Sequence, residues 1–343
     1  VQIQKITSEV GEAPQIRVRG MGSVSADSSP LVIIDGFPVE GGLGVVNMND
    51  VESIEVLKDA ASAAIYGSRA AFGVIIVTTK GGAKKGPEKI SINYDNNVSF
   101  RKLSVRPDIV TDPATVVDMK NIFSKPWYNL YDENAIEYAK KRSADPSISP
   151  YYLTPKGDWQ YFGNTNWFDE AYKDWGFSTN HNVNISGATE KVSYYVSAGY
   201  QRTNGMLKQD NDIFNRYNFR SKLDFKITDR WSISNNTSYS STDYDAPTYL
   251  GSDYYWAVSR KNPLDVPRNP DGSWTETGAD ILGRMQDGGR SKDLYQRFQT
   301  QFSTKIDIFK DIWTVNGNFA INRYSANSEW ATLSVPYSKR PEM

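Results

Sequence analysis

The sequence contains no cysteine, so disulfides and thiolate-held metals are excluded. It has one histidine, His181, which argues against His-rich metal centres and the common His-based catalytic designs. No charge of one sign dominates. Lys plus Arg number 39 and Asp plus Glu 40, leaving a formal charge of −1 and no global pull toward nucleic acid or anionic lipid. No apolar run reaches about 18 residues, so no transmembrane helix is predicted. A membrane β-barrel stays open, because its strands alternate apolar and polar residues and score polar in any hydropathy window. The start, VQIQKITSEVG, lacks a basic region followed by an apolar core and does not read as a signal peptide.

Aromatic residues are abundant at 13%, with 21 Tyr and 9 Trp among 343 residues, and their placement matters below. Two zones share the chain, residues 1–86 and 87–343. In the first, PLVIIDG (Pro30–Gly36) reads as a buried strand ending in a turn. VESIEVLKD (Val51–Asp59) reads as an alternating strand, ASAAIYGSRAA (Ala61–Ala71) as a short helix or turn, and GVIIVTTK (Gly73–Lys80) as a continuous apolar strand. Together they predict a small α/β unit covered on both faces.

The second zone has period two. Seven strands are read: Glu88–Arg101, Phe177–Ser186, Lys191–Gln201, Ile213–Thr228, Trp231–Ser241, Gln296–Phe309 and Asp311–Tyr324. In Ile213–Thr228, Tyr217, Phe219, Leu223, Phe225 and Ile227 oppose Arg216, Asn218, Arg220, Lys222, Asp224 and Lys226. Short turns at Gly187–Glu190, Thr228–Arg230 and Lys310–Ile312 alternate with long links at Lys102–Gly176, Arg202–Asp212 and Asp245–Leu294. The long links are read as irregular. A soluble antiparallel sandwich also alternates. Three features favour a membrane barrel: strand length, the systematic turn asymmetry, and Trp231 and Trp313 at strand ends beside short turns, where an interfacial belt would place them.

IRVRGMGSV (Ile16–Val24), PLVIIDGFPV (Pro30–Val39) and NMNDVESIEVLKDAASAAIYGSRAAFGVIIVTTKGG (Asn47–Gly82) follow one another at close spacing. This resembles the plug of SusC/RagA-type TonB-dependent outer-membrane transporters. NTNWFDEAYKDWGFSTNHNVNISGATEKVSYYVSAGYQRTNGML (Asn164–Leu207) is similar to that family's first barrel hairpin. The resemblance implies an all-β transmembrane barrel of roughly 22 strands with a small α/β plug in its lumen. Seven strands do not close such a barrel, so the sequence is expected to be part of a longer polypeptide, lacking the start of the plug with its TonB-contacting segment and the closing strands.

The same resemblance implies active import of oligosaccharides across the bacterial outer membrane, with peptides, siderophores or cobalamin as alternatives. It implies a SusD-like surface lipoprotein, the TonB–ExbB–ExbD complex as energy source, and a dimer of transporter–lipoprotein pairs. No catalytic residue, cofactor, metal or nucleic-acid partner is expected. Asp169 and Glu170 beside Trp167 would suit glycoside hydrolysis only as a pair flanking one bond, and solvated loop acids are commoner.

A plug in a polar lumen ties itself to the wall by polar contacts, for which Arg17, Arg19, Asp35, Glu55, Lys58, Asp59 and Arg69 are candidates. Gly20, Gly36, Gly67 and Gly73 read as structural. Plug loops Gly22–Ser29 and Gly41–Met48 are expected to face outside, with Ser25, Asp27 and Leu43 as candidate substrate contacts. Trp127, Tyr151, Trp159, Tyr255 and Trp256, in the long links, are candidates to stack on sugar rings.

Overall fold

The structure, a computed structural model, describes residues 2–4, 15–18, 29–39, 42–58, 64–82, 90–125, 127–128, 130–210, 212–309 and 312–340. A minimal ribbon pairs β1 (Gln2–Gln4) with β2 (Gln15–Arg17). A four-stranded sheet follows from β3 (Leu31–Ile34), β4 (Phe37–Val39), β5 (Val51–Leu57) and β6 (Val74–Thr79), in the order β4-β3-β6-β5. The apolar runs LVII and VIIVTT form its two central strands, paired in parallel, and Val32, Ile33, Val74, Ile75 and Val77 are buried. Continuous apolar strands of this kind suit a parallel pair with both faces covered. The edge strand β5 departs from the expected two-sided cover: Glu52 to Glu55 are exposed, Ile54 at 44%. It lies at the end of the sheet and packs through Val51, Val56 and Leu57, so only its two ends reach the core.

The rest of the chain is built on a seven-stranded antiparallel wall. Its strands are β7 (Ser91–Arg101), β10 (Gly176–Ala188), β11 (Val192–Asn204), β12 (Ile213–Thr228), β13 (Trp231–Pro247), β14 (Arg290–Phe309) and β15 (Trp313–Trp330). Each pairs with its neighbour in that order. The register fixes the faces. Asn93, Asn184, Ser197, Arg220, Ser238, Gln299 and Asn322 form one row across the wall, on the side of the small sheet. One residue along, Tyr94, Val183, Ala198, Phe219, Tyr239 and Phe298 form a row on the opposite face, where Tyr94 and Phe219 are 63% and 45% exposed. Solvent does not tolerate a continuous apolar face of this size, whereas hydrocarbon does. Trp231 and Trp313 begin β13 and β15 at the short turns. Tyr239 lies eight residues above Trp231, roughly 26 Å along the strand and about 20 Å along the normal once tilted, close to the height of a barrel's apolar band.

The strands run past the sequence reading at the long-link ends: β13 continues to Pro247, and β14 begins at Arg290. There TDYDAP and RSKDL are polar on both faces, and alternation disappears although the ladder continues. The long links also have structure. The first contains helices α1 (Pro113–Ser124) and α2 (Glu133–Ala144), the hairpin β8 (Tyr151–Leu153) and β9 (Trp159–Tyr161), and the short helix α3 (Trp167–Ala171). Asp112 and Asp132 cap α1 and α2, accepting hydrogen bonds from Thr115 N and Ala135 N. The later link adds α4 (Tyr254–Ser259) and a helical segment over 276–286. Trp167, Phe168, Leu207, Tyr254, Val258, Leu282 and Met285 form a core above the wall, and Val117, Ala139, Phe162 and Leu264 a second one.

The two-faced wall is testable. Phe302 is 48% exposed on the outer face, midway between the levels of Trp231 and Tyr239. Phe302→Arg is expected to destabilise the bilayer-inserted protein by about 2–4 kcal/mol. Gln301→Arg, one residue along and on the inner face, is expected to cost far less. Urea titration in liposomes distinguishes them.

Candidate functional site

The small sheet and the wall meet along a polar seam. Its centre is set by a two-residue turn. Asp35 and Gly36 join β3 to β4 with φ of 49° and 91°, the left-handed pair that a tight hairpin requires and that Asp-Gly supplies. The turn aims the Asp35 carboxylate along the end of β6. There Thr79 N donates to Oδ1 at 3.0 Å and Thr79 Oγ1 to Oδ2 at 2.5 Å. From the wall, Arg220 Nη2 on β12 donates to Oδ2 at 2.6 Å, and Asn236 Nδ2 on β13 at 2.8 Å. Arg220 also donates to Thr79 Oγ1. The ion pair is nearly sealed, with side-chain exposures of 7% for Arg220 and 11% for Asp35.

Burial pushes the Asp35 carboxyl upward. The Arg220 charge, both Thr79 hydrogen bonds and Lys222 outweigh it, so its pKa lies below the ordinary 3.8. With the folded value depressed, the clasp contributes fully above about pH 3.8 and is lost as pH falls through the folded value.

Two further contacts flank the clasp. Tyr195 OH on β11 donates to Asp50 Oδ1 at 2.8 Å, both residues buried. Asn47 Nδ2 donates to Asn182 Oδ1 on β10 at 2.8 Å. The second bond occupies a gap left by Gly199, where a Cβ would stand 2.7 Å from Asn182 Oδ1 and 2.9 Å from Asn47 Nδ2. Asn47 also accepts from Asn49 N, and Asp50 O accepts from Lys80 N, so the segment before β5 is fixed before it reaches the wall.

Of the seam residues anticipated from sequence, the structure places Asp35 at this centre. Glu55 and Lys58 lie exposed on and just beyond β5. Arg19 and Asp59 are outside the described residues, as are the side chains of Arg17 and Arg69. Asn47, Asp50, Thr79 and the wall partners were not singled out. The alternation of Ile213–Thr228 put Arg220 on the polar face, opposite Tyr217 and Phe219, but only the register and docking bring it and Asn236 to Asp35, and Asn182 to Asn47.

Among the anticipated substrate contacts, Ser25 and Asp27 lie outside the described residues, and Leu43 packs against the core of the small sheet. Trp127, in the turn after α1, and Trp256, on α4, are 79% and 58% exposed. Tyr255 meets Trp256 edge to face at 5.6 Å, packs on Phe168 and donates to Val105 O. Tyr151 and Trp159 face each other across the β8–β9 hairpin at 6.1 Å, and Tyr151 OH donates to Arg268 O. The exposed rings are thus Trp127 and Trp256, while the other three are half-buried in the cap. Asp169 is ion-paired with Arg106 at 2.5 Å.

Removing one partner of the buried pair leaves the other uncompensated. Asp35→Ala is expected to lower the opening free energy of the β3 and β6 amides by about 3–5 kcal/mol in hydrogen exchange. The gap between wild type and Asp35→Asn should narrow as the pH falls below about 3.8. Gly199→Val is expected to break the Asn47–Asn182 bond and raise exchange around residues 47–50, leaving the wall strands protected.

Residues 1–74 match the TonB-dependent Receptor Plug Domain family. The TonB-dependent receptor P26 of Formosa agariphila is 33% identical over 245 residues, covering 71% of this chain and 22% of that protein. The TonB-dependent receptor SusC of Bacteroides thetaiotaomicron is 34% identical over 209 residues, covering 59% of this chain and 18% of that protein. The chain therefore spans about a fifth of the length of these curated relatives. A solved structure of the RagAB peptide importer in the 'open-open' state shares the fold, with a TM-score of 0.75 at 21% identity over 99% of this chain and 39% of that one. A plug-type sheet clasped to a two-faced wall, with relatives of this kind, makes the chain the plug and adjoining barrel strands of a SusC/RagA-type TonB-dependent receptor of the outer membrane.

Proposed function

We propose that the full protein imports oligosaccharides across the outer membrane, energised through TonB–ExbB–ExbD and working with a SusD-like surface lipoprotein. The observation that carries this reading is the chemistry of the seam. Plug and wall are joined by Asp35–Arg220, Asp50–Tyr195 and Asn47–Asn182, all hydrogen bonds between polar groups. Water replaces such partners when the seam opens, whereas an apolar seam of the same extent would resist wetting. A plug held this way shuts the lumen at rest and separates when pulled.

The cargo reading rests on the outer end. Trp127 and Trp256 present exposed rings on the long-link side, suited to the C–H faces of pyranoses. Inward rows of Asn, Gln, Ser and Thr, such as Asn184, Ser197, Ser238 and Gln299, offer donors and acceptors to hydroxyl groups. The same groups suit a peptide backbone, which makes peptides the alternative cargo.

A deletion strain grown on panels of glycans and peptides as sole carbon source tests the proposal. Growth is expected to fail on a particular glycan and to return on complementation. Failure confined to peptides would reassign the cargo, and no defect on any solute would overturn import. Incubation of the purified protein with that glycan is expected to leave it uncleaved.

A further inference from the structure

We propose a second solute site between plug and wall, on the periplasmic side of the Asp35–Arg220 clasp, that takes neutral, hydroxyl-rich molecules of trisaccharide size. It rests on the import reading and adds a step after the clasp. On β12, Lys222 and Asp224 follow Arg220 toward the short turn at Thr228, and the register sets Tyr195 and Ser193 of β11 beside them. Ser186 of β10 pairs with Tyr195, and Asn184 with Asn93 of β7. Between these inward residues and the end of β6 lies a cavity of about 990 Å³. That is the upper end of the roughly 300–1,000 Å³ that small-molecule sites occupy.

Contacts at two levels hold this space open. At its outer end Thr79 donates to Asp35 within the clasp, and Tyr195 donates to Asp50. Nearer the short turns Gly82 lies against β11, where a Cβ would stand 2.2 Å from Ser193 Oγ and 2.5 Å from Tyr194 N. The cavity shares Thr79 and Tyr195 with the seam, so a solute that passes the opened clasp arrives in it directly.

The lining contains no apolar side chain. Glu52, Asp95 and Asp224 stand with Lys80 and Lys222, and amides and hydroxyls fill the intervals. Among the described residues Glu52, Lys80, Asp95 and Asp224 are in no ion pair, while the charge of Lys222 acts on Asp35. A solute of either net charge meets like charge here. A hydroxyl group both donates and accepts, so a sugar satisfies the carboxylates and the amines alike. Polar walls also keep the space wet, and exchanging its water for hydroxyls preserves the hydrogen bonds.

Thiol labelling of the purified intact receptor, at Ser186→Cys and separately at Asn93→Cys, tests this without transport. Residues 1–343 contribute no background thiol. Both thiols are expected to react with a hydrophilic methanethiosulfonate. Raffinose at about 50 mM is expected to slow both roughly threefold, the mass-action protection of a site of roughly 25 mM affinity. Trilysine and triglutamate at the same concentration are expected to protect less. Glu190→Cys, on the exposed turn between β10 and β11, is expected to react equally fast with and without raffinose. Unreactive thiols at both cavity positions in the folded receptor, no protection by raffinose, or equal protection by all three solutes overturns the site. So does equal slowing at Glu190→Cys. Absence of any growth defect in the deletion strain would remove the import reading and leave raffinose protection standing, so the two fail separately.

Discussion

A carboxylate taken out of water must be surrounded by donors, and at Asp35 they come from two bodies at once. Thr79 serves it from within the small sheet, while Arg220 and Asn236 serve it from the wall. Neither body satisfies the charge alone. Docking is therefore specified by the completeness of one hydrogen-bond set, and a shift by one residue along β12 would replace Arg220 with an outward-facing neighbour. Buried ion pairs add little net stability when compared with apolar packing, but they penalise wrong arrangements heavily. That suits a joint that must form in one position and still be separable.

Around this joint the wall serves two solvents. Its outer rows are mostly apolar between the Trp231 and Tyr239 levels, the outward Asn235, Thr237 and Thr300 satisfying one another by hydrogen bonds, and its inner rows carry amides, hydroxyls and a few charges. Above the apolar band the strands continue as a polar rim that carries the helical cap. The cap has its own cores, so rings such as Trp167 and Trp274 hold the cap together, while Trp127 and Trp256 are turned outward.

Much of this was legible in the sequence where one physical rule dominated. All seven wall strands follow from period two, and so do their two faces, as in Ile213–Thr228, where hydrocarbon and lumen demand opposite residues. Strand ends were less legible, because beyond the membrane the contrast that writes the alternation is gone. Helices α1 and α2 carry readable signals, Asp-Pro at one start and Asp-Glu at the other, yet Tyr, Pro and Asn around them make the stretch look irregular. The seam was half legible. Asp35 stands out as an acid closing an apolar strand, but Arg220 is one of several inward cations, and its partnership depends on register and docking. Asn47, Asp50 and Gly199 gave no local sign, since their role exists only when plug and wall are face to face.

The chain passes directly from β6 through Gly82 to β7, the first strand of the wall. Eight peptide links separate Gly82 from Ile90, a contour length of at most about 28 Å. However far the clasp opens, the end of β6 stays on that leash. Separation of plug from wall is thus an excursion of bounded radius, and Asp35 and Arg220 remain at a high effective concentration throughout. Recapture is an intramolecular event, independent of how many copies of the protein the membrane holds.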